Sequence, residues 1–448
     1  MTNEDKIAEM GGQEVRSRDK SYASGRSQTK VDLLRRSKAK ANLAQVLRLP
    51  ASRLASPVPK VALLTGGGDK PYALGLVDAL TSVGLSVDFV GSDDVDAPAL
   101  HDNPRVNFLN LRGDQRTDAR AIAKAFRVLR YYLRLIGYAA TAKPQIFHIL
   151  WNNKFELFDR TVLMLYYRLL GKKTVLTVHN VNISKRDGAD SWFSRWTLKF
   201  QYRMCHHIFV HTAKMREELV SEFRVRDGKV DVIPFGLNRT VPDTALTTLE
   251  ARQRLGLTRD DKVLLFFGNI APYKGLELLI EAFEAASKTD KNLRLVVAGR
   301  PKGSEDYWSG LLEKINRSTA RGKMILKIEF VPDAETEVYF KAAQVLVLPY
   351  THIYQSGVLL LGYGFGLPVI AADVGSLKEE IIEDKTGFVF KAKDPLALAK
   401  AIQTFFSSDL FKNLEEHRHE IQQYANECYS WAKVAAITTK AYSNLLQN

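Results

Sequence analysis

Leu264-Leu265-Phe266-Phe267-Gly268-Asn269-Ile270-Ala271-Pro272-Tyr273-Lys274-Gly275 carries an apolar strand into a glycine turn, presents one lysine, and leads directly into the amphipathic run Leu276–Phe283. A strand that turns on glycine into a helix sets backbone N–H groups and a helix N-terminus beside a cation, which are the surroundings that hold a phosphate. A second strand and glycine turn stands upstream, in Val61-Ala62-Leu63-Leu64-Thr65-Gly66-Gly67-Gly68-Asp69-Lys70. Two such units on one chain predict two nucleotide-type halves with a cleft between them.

Working outward, short β-branched runs alternate with helical patterns. They fall at Val61–Thr65, Ser86–Val90, Ile146–Leu150, Lys173–Thr177, Ile208–His211 and Val230–Pro234. The series resumes at Val263–Phe267, Leu293–Ala298, Lys327–Phe330, Val345–Pro349 and Pro368–Ala371. Strands separated by helices imply βαβ units, hence parallel sheets covered on both faces. The polar stretch Asn238–Thr248, with Pro242, reads as the linker, giving an N-terminal domain over 59–240 and a C-terminal domain over 241–430. Ligands of doubly wound sheets bind beyond the carboxyl ends of the strands, so both glycine turns should face one crevice.

With 448 residues the chain is longer than one hydrophobic core usually serves, and its 46% hydrophobic content is ordinary for a globular protein. Residues 1–58 mix Arg16, Arg18, Lys20, Arg26, Arg35 and Arg36 with Ser, Gln and Gly, which predicts a basic, poorly ordered arm. Cys205 and Cys428 stand in no metal-ligand spacing, so no disulfide framework or zinc site is indicated and a reducing cytoplasm is expected. The charged N-terminus does not read as a secretory signal, and no window approaches the roughly 20 apolar residues of a membrane span. The formal charge of +14 calls for an acidic partner: nucleic acid, anionic lipid or a phosphorylated substrate. No aromatic sheet motif or recognition-helix pattern accompanies the basic residues, which sets nucleic acid aside.

Gly66 and Gly68 supply two glycines of a dinucleotide fingerprint, but the third position is Pro71 and Asp88 lies inside the next strand, so nicotinamide binding is a poor match. Several separate pieces agree better with another family. They are the Gly66–Asp69 turn, Thr177-Val178-His179-Asn180, Ile233-Pro234-Phe235-Gly236, Gly268 through Gly275, Val345-Leu346-Val347-Leu348-Pro349-Tyr350, and Gly366-Leu367-Pro368-Val369-Ile370-Ala371 followed by Asp373-Val374-Gly375. In order and spacing, over roughly residues 60–445, they resemble the glycosyltransferase family 4 group. That resemblance implies an α/β fold of two doubly wound Rossmann-like domains (GT-B) facing a central cleft, with a helix at 431–448 crossing back. It also implies an enzyme that moves a sugar, most simply a hexose, from a nucleotide-diphosphate donor to a glycan or lipid-linked acceptor in polysaccharide or glycoconjugate biosynthesis.

The resemblance places the donor pyrophosphate at Gly268 and Lys274. The family's arginine position is Asn269 here, leaving a neutral donor in place of a charge. Arg300 is either its replacement or a solvated loop residue. Two glutamates that the family often carries are Tyr354 and Gly362, and Tyr354-Gln355-Ser356-Gly357-Val358 is similar to a branch with Gln-Ser-Gly-Val at this place. Ser356 and the N–H groups at Gly357 and Val358 would then hold phosphate at a helix start. His179, ending an apolar strand, matches the histidine that contacts the transferred sugar, whereas His148, His206, His207 and His211 read as structural. Gly67, Gly68, Asp69 and Lys70 would receive the acceptor, the glycines allowing close approach to backbone.

Glycosyl transfer makes the sugar oxocarbenium-like while negative charge grows on the departing nucleotide. No metal or cofactor beyond the nucleotide-sugar is indicated, and no carboxylate nucleophile is evident, which fits a retaining member of the family whose leaving phosphate helps to deprotonate the acceptor. Glu156, Asp159 and Asp69 are the alternative bases. Arg120, Lys124, Arg127, Arg130 and Arg134 recur at helical spacing opposite Ile122, Phe126, Leu129, Leu133 and Ile136, a pattern read first as an apolar face packed on the sheet. Trp192, Trp196 and Phe200 beside Arg195, Lys199 and Arg203 suit instead a peripheral contact with an anionic membrane on its cytoplasmic face. Asn269, Tyr354 and Gly362 leave a second reading open, a degenerate fold acting as a binding or scaffolding subunit.

Overall fold

The computed structural model describes residues 60–115, 120–153, 155–182, 190–301 and 303–447; the basic arm expected over 1–58 lies outside them. The first sheet has seven strands in the order β3-β2-β1-β4-β5-β6-β7. These are β1 (Lys60–Leu64), β2 (Ser86–Gly91), β3 (Val106–Asn110), β4 (Ile146–Ile149), β5 (Lys173–Val178), β6 (His207–Val210) and β7 (Val230–Val232). Every pairing is parallel, with Val61 opposite Val87 on one side and Ile146 on the other. In β1, Val61 and Leu63 enter one buried cluster while Ala62 and Leu64 enter another. That alternation across the pleat is why a continuous apolar run makes a strand with helices on both faces.

The second sheet has six parallel strands in the order β10-β9-β8-β11-β12-β13. They are β8 (Lys262–Phe267), β9 (Leu293–Ala298), β10 (Met324–Lys327), β11 (Val345–Leu348), β12 (Val369–Ala372) and β13 (Gly387–Phe390). Both sheets reverse their strand order beside their first strand, so each glycine turn leaves the sheet at a switch point. One expected strand is displaced: β10 ends at Lys327, where its partner β9 ends at Ala298, and the run continuing to Phe330 has nothing left to pair with. The short strands β3 and β13, not foreseen, close the first and second sheets respectively at an edge.

The chain from Pro59 onward forms one compact unit. It crosses between the sheets twice. After β7 it runs through the polar linker to the helix Thr248–Arg254, which a capping box between Thr247 and Glu250 starts. It returns at Tyr429 and Ser430, and the helix Trp431–Gln447 packs against Lys70–Ser82, adding Trp431, Val434 and Tyr442 to the cluster of Val61 and Leu63. The two crossings are pinned together: Leu237 N–H donates to Tyr429 O (3.2 Å) and Trp431 Nε1–H to Leu237 O (2.8 Å).

Candidate active site between the two sheets

Beyond β8 the chain turns at Gly268, forms a short 3-10 turn over Pro272–Lys274, and enters the helix Leu276–Ser287 through Gly275. Gly275 has φ 62, and a Cβ there would meet Pro349 O at 2.1 Å, so the turn admits no larger residue. Lys274 is thereby carried inward. It is only 7% exposed, its Nζ stands 5.2 Å from the Tyr350 ring centroid, and 3.1 Å separates it from the position a Cβ on Gly268 would take. No carboxylate pairs with it among the described residues, and burial lowers its pKa from the ordinary lysine value. Val358 lies against the same Gly268 position at 3.5 Å. It belongs to the helix Gly357–Gly364, whose N-cap Ser356 accepts from Leu359 N–H. A buried, unpaired cation and a helix N-terminus thus converge on Gly268.

The remaining residues expected here are placed differently. Asn269 is exposed, and Arg300 is exposed with its guanidinium 5.1 Å from the Phe330 ring centroid. Tyr354 donates its hydroxyl to Glu218 of the first half at 2.9 Å. Gly362 is pressed on β11, where a Cβ would meet Leu346 Cδ2 at 2.8 Å, so a larger residue there would have to push the Leu346 side chain aside. Beneath the Tyr354 loop lies Glu380, which sequence reasoning did not single out. It accepts from Ser376 Oγ and Gln355 Nε2, both at 3.1 Å, and burial pushes its carboxyl up to about 7.

On the first sheet, Gly68 lies over the Trp151 indole, which a Cβ would strike at 1.9 Å. His179 stacks flat on the other part of this aromatic platform, 4.1 Å from Trp151 with 3° between the planes. His179 Nδ1 stands 3.0 Å from His211 Nε2, and His211 Nδ1 stands 3.3 Å from Ile233 O. A carbonyl only accepts, so His211 donates to Ile233 and accepts from His179 Nδ1–H. His179 Nε2 is buried without a hydrogen-bond partner among the described residues. Burial, then the neighbouring His211 and His148, hold His179 well below the usual histidine range, and burial takes His211 to about 4 and His148 to about 3. All three are neutral near pH 7. His211, read as merely structural from the sequence, therefore sets the tautomer of His179.

The acceptor side also differs from expectation. Asp69 is spent as the N-cap of Lys70–Ser82, accepting from Tyr72 N–H at 3.0 Å, and Lys70 Nζ donates to Asp96 O at 2.8 Å. The cation on the glycine turn is Arg112, which the sequence reading passed over because it follows an unforeseen edge strand. Its Nη1 lies 2.0 Å from where a Cβ on Gly67 would sit, is buried, and has no hydrogen-bond partner. Asp159 is occupied by Tyr132 Oη (2.9 Å) and Asn153 N–H (2.6 Å), and Glu156 pairs with Arg160 (2.7 Å).

The two halves meet in a cavity of about 280 Å³ lined by Asp69, Tyr72, Phe235, Gly357, Val358 and Trp431, among others. Elsewhere between the halves Lys214 reaches Gly375 O and, at 3.8 Å, Glu379. Among the described residues no cluster of His, Cys, Asp or Glu is placed to hold a metal ion, and no helix is long and apolar enough to cross a membrane.

Two parallel sheets facing a cleft, with a phosphate-type turn on the second, define the architecture of a GT-B glycosyltransferase. The chain belongs to that class by sequence as well: it matches the family Glycosyltransferase Family 4 over residues 66–240 and the family Glycosyl transferases group 1 over residues 248–427, together most of its length. The D-inositol 3-phosphate glycosyltransferase of Streptomyces avermitilis is 29% identical over 249 residues, 54% of this chain and 52% of that protein. That of Corynebacterium glutamicum is 27% identical over 249 residues, covering 53% and 57%. The chain spans about half the length of these curated relatives. Among solved structures, sucrose-phosphate synthase from Thermosynechococcus elongatus superposes with TM-score 0.68 at 20% identity, over 87% of this chain and 100% of its own. HepE of Anabaena, solved with UDP, gives TM-score 0.67 at 14% identity over 87% and 100%. Both share the fold.

Proposed function

We propose that the protein transfers a sugar from a nucleotide-diphosphate donor to a glycan or lipid-linked sugar acceptor, with retention of anomeric configuration. The observation that carries this reading is Lys274: a desolvated cation without a counter-charge is unfavourable in the free protein and is satisfied by a diphosphate. As the glycosidic bond breaks, charge developing on that diphosphate is met by Lys274 Nζ and by the N–H groups at Gly357 and Val358, with Ser356 holding the helix start. Arg300 lies outside this convergence and Asn269 supplies only a neutral side chain. His179, at the end of β5 and stacked on Trp151, would hydrogen-bond a hydroxyl of the donor sugar. Arg112 and the Gly67–Gly68 backbone would receive the acceptor, Arg112 favouring one that carries negative charge. Asp159, Glu156 and Asp69 are engaged elsewhere, which supports deprotonation of the acceptor by the leaving phosphate. Cys205 and Cys428 are free thiols, in keeping with a cytoplasmic site of action.

HepE is solved with UDP and UDP-glucose, so uridine diphosphate is the first ligand to test. Thermal-shift and calorimetric binding of UDP, GDP, ADP and dTDP should show one diphosphate that stabilises the protein. Lys274→Ala should weaken it about tenfold to a hundredfold, or about 1.4–2.8 kcal/mol. The scaffolding reading is favoured by Tyr354, whose hydroxyl is tied to Glu218 rather than offered to a ligand. It prevails if no diphosphate binds.

A further inference from the structure

The helix Ala121–Thr141 does not lay its longest apolar stripe on the sheet. Its buried face is Tyr131, Tyr132, Leu135 and Ala139. Ile122, Phe126, Leu129 and Leu133 follow at four, three and four residues, align along the helix, and are all exposed, Ile122 by 86%. This corrects the expectation that the stripe packs inward. The two helices that follow β4, Glu156–Arg160 and Val162–Leu169, pack beside it, with Tyr166 Oη donating to Ile136 O at 3.0 Å. They expose Leu157, Val162, Leu165 and Leu169, next to exposed Phe155. The helix after β5, Trp192–Met204, completes the layer and exposes Trp192 by 78%, together with Phe193 and Trp196.

All three segments contribute to one buried cluster, through Tyr132, Met164 and Tyr202, and therefore cover the same face of the first sheet. They hold twelve of the eighteen exposed large hydrophobic side chains among the described residues. A patch so concentrated is a binding surface rather than ordinary surface scatter. Helices of a parallel βαβ sheet start at the carboxyl edge of their strands. Ile122, Phe126, Phe155, Trp192 and Trp196 are near those starts, at the edge where Gly66–Gly68 and Arg112 open.

The charges beside this patch identify its partner. Arg130 and Arg134 each follow a stripe leucine by one residue, hence lie about 100° round the helix from it, and make no ion pair among the described residues. Along Trp192–Met204 the same stripe that begins with Trp192 and Trp196 continues with Lys199 and Arg203. Aromatic and aliphatic side chains bordered by unpaired cations match the acyl boundary and phosphate layer of an anionic bilayer. We propose that this helix layer docks the protein on an anionic lipid surface, with the mouth of the acceptor side turned to the membrane.

Sedimentation with vesicles of phosphatidylglycerol and phosphatidylcholine in equal parts tests this, with pure phosphatidylcholine vesicles as the second arm. The full-length protein should sediment with the anionic vesicles, release as salt rises, and stay in solution with the neutral ones. Phe126→Ser combined with Leu133→Ser should weaken binding at least tenfold, and Arg130→Gln combined with Arg134→Gln should remove most of the salt sensitivity. Thermal unfolding of each variant, read without lipid, shows that it is folded independently of whether any nucleotide binds. The proposal is overturned if the protein ignores anionic vesicles at low salt, or if the Phe126/Leu133 variant binds them as well as the parent. It also falls if sedimentation velocity shows a dimer that this variant dissolves while neither protein binds lipid, since a second copy would then cover the patch.

Discussion

Glu380 illustrates how a single buried group writes a pH dependence into the whole fold. Its carboxyl is held up to about 7 by burial, whereas in the unfolded chain it titrates near the ordinary glutamate value. The folded state therefore binds the proton more tightly, and stability falls as pH rises from the ordinary value through about 7. Glu380→Gln keeps an acceptor for Ser376 and Gln355 and removes the titration. At pH 8 the variant should melt a few degrees higher, on the order of 2 kcal/mol, and at pH 4 it should match the parent, as differential scanning calorimetry would read. Within the candidate site, the buried positions of Lys274 and His179 were legible, because a glycine turn and a strand end announce themselves locally. Arg112, His211 and Trp151 were not, since each acquires its place from packing between segments far apart in the chain. Gly362 shows the reverse case: a missing glutamate looked like lost chemistry, and the structure shows the glycine packed closely on Leu346.

At the scale of elements, the alternation of strands and helices was readable from Lys60 onward, because strands buried on both faces must be continuously apolar. Edge strands were the weak point: β3, half exposed, and the short β13 were not foreseen, and β10 was displaced because its limits are set by the extent of β9 rather than by its own residues. The helix Ala121–Thr141 teaches a related lesson. Its periodicity was visible, but a helix with two apolar stripes does not say which one the sheet takes, and here the tyrosine-rich stripe is buried. The glycine turn makes a sharper prediction. In Gly68→Ala the new methyl would displace the Trp151 ring on which His179 lies, while the second sheet is untouched. Turnover should fall at least tenfold with acceptor KM raised, and the UDP-induced thermal shift should persist, a split that separates the two sides of the cleft.

For the whole molecule, the returning helix is the decisive contact. Trp431 is 4% exposed and fills hollows over Gly75 and Gly236, where a Cβ would meet its ring at 2.1 and 2.6 Å. Trp431→Ala should lower stability by about 3–5 kcal/mol in urea titrations, since neither glycine can refill the space. The crossing of this helix, which the family resemblance implied, is seen in its packing against Lys70–Ser82. Its consequence reaches to synthesis on the ribosome. The core around Val61 and Leu63 is completed by Val434, Ala435 and Tyr442, which emerge only after every strand of both sheets has been made. The half that is translated first must therefore wait with an uncovered apolar flank while the second half folds, and it reaches its final packing as the later-finished domain.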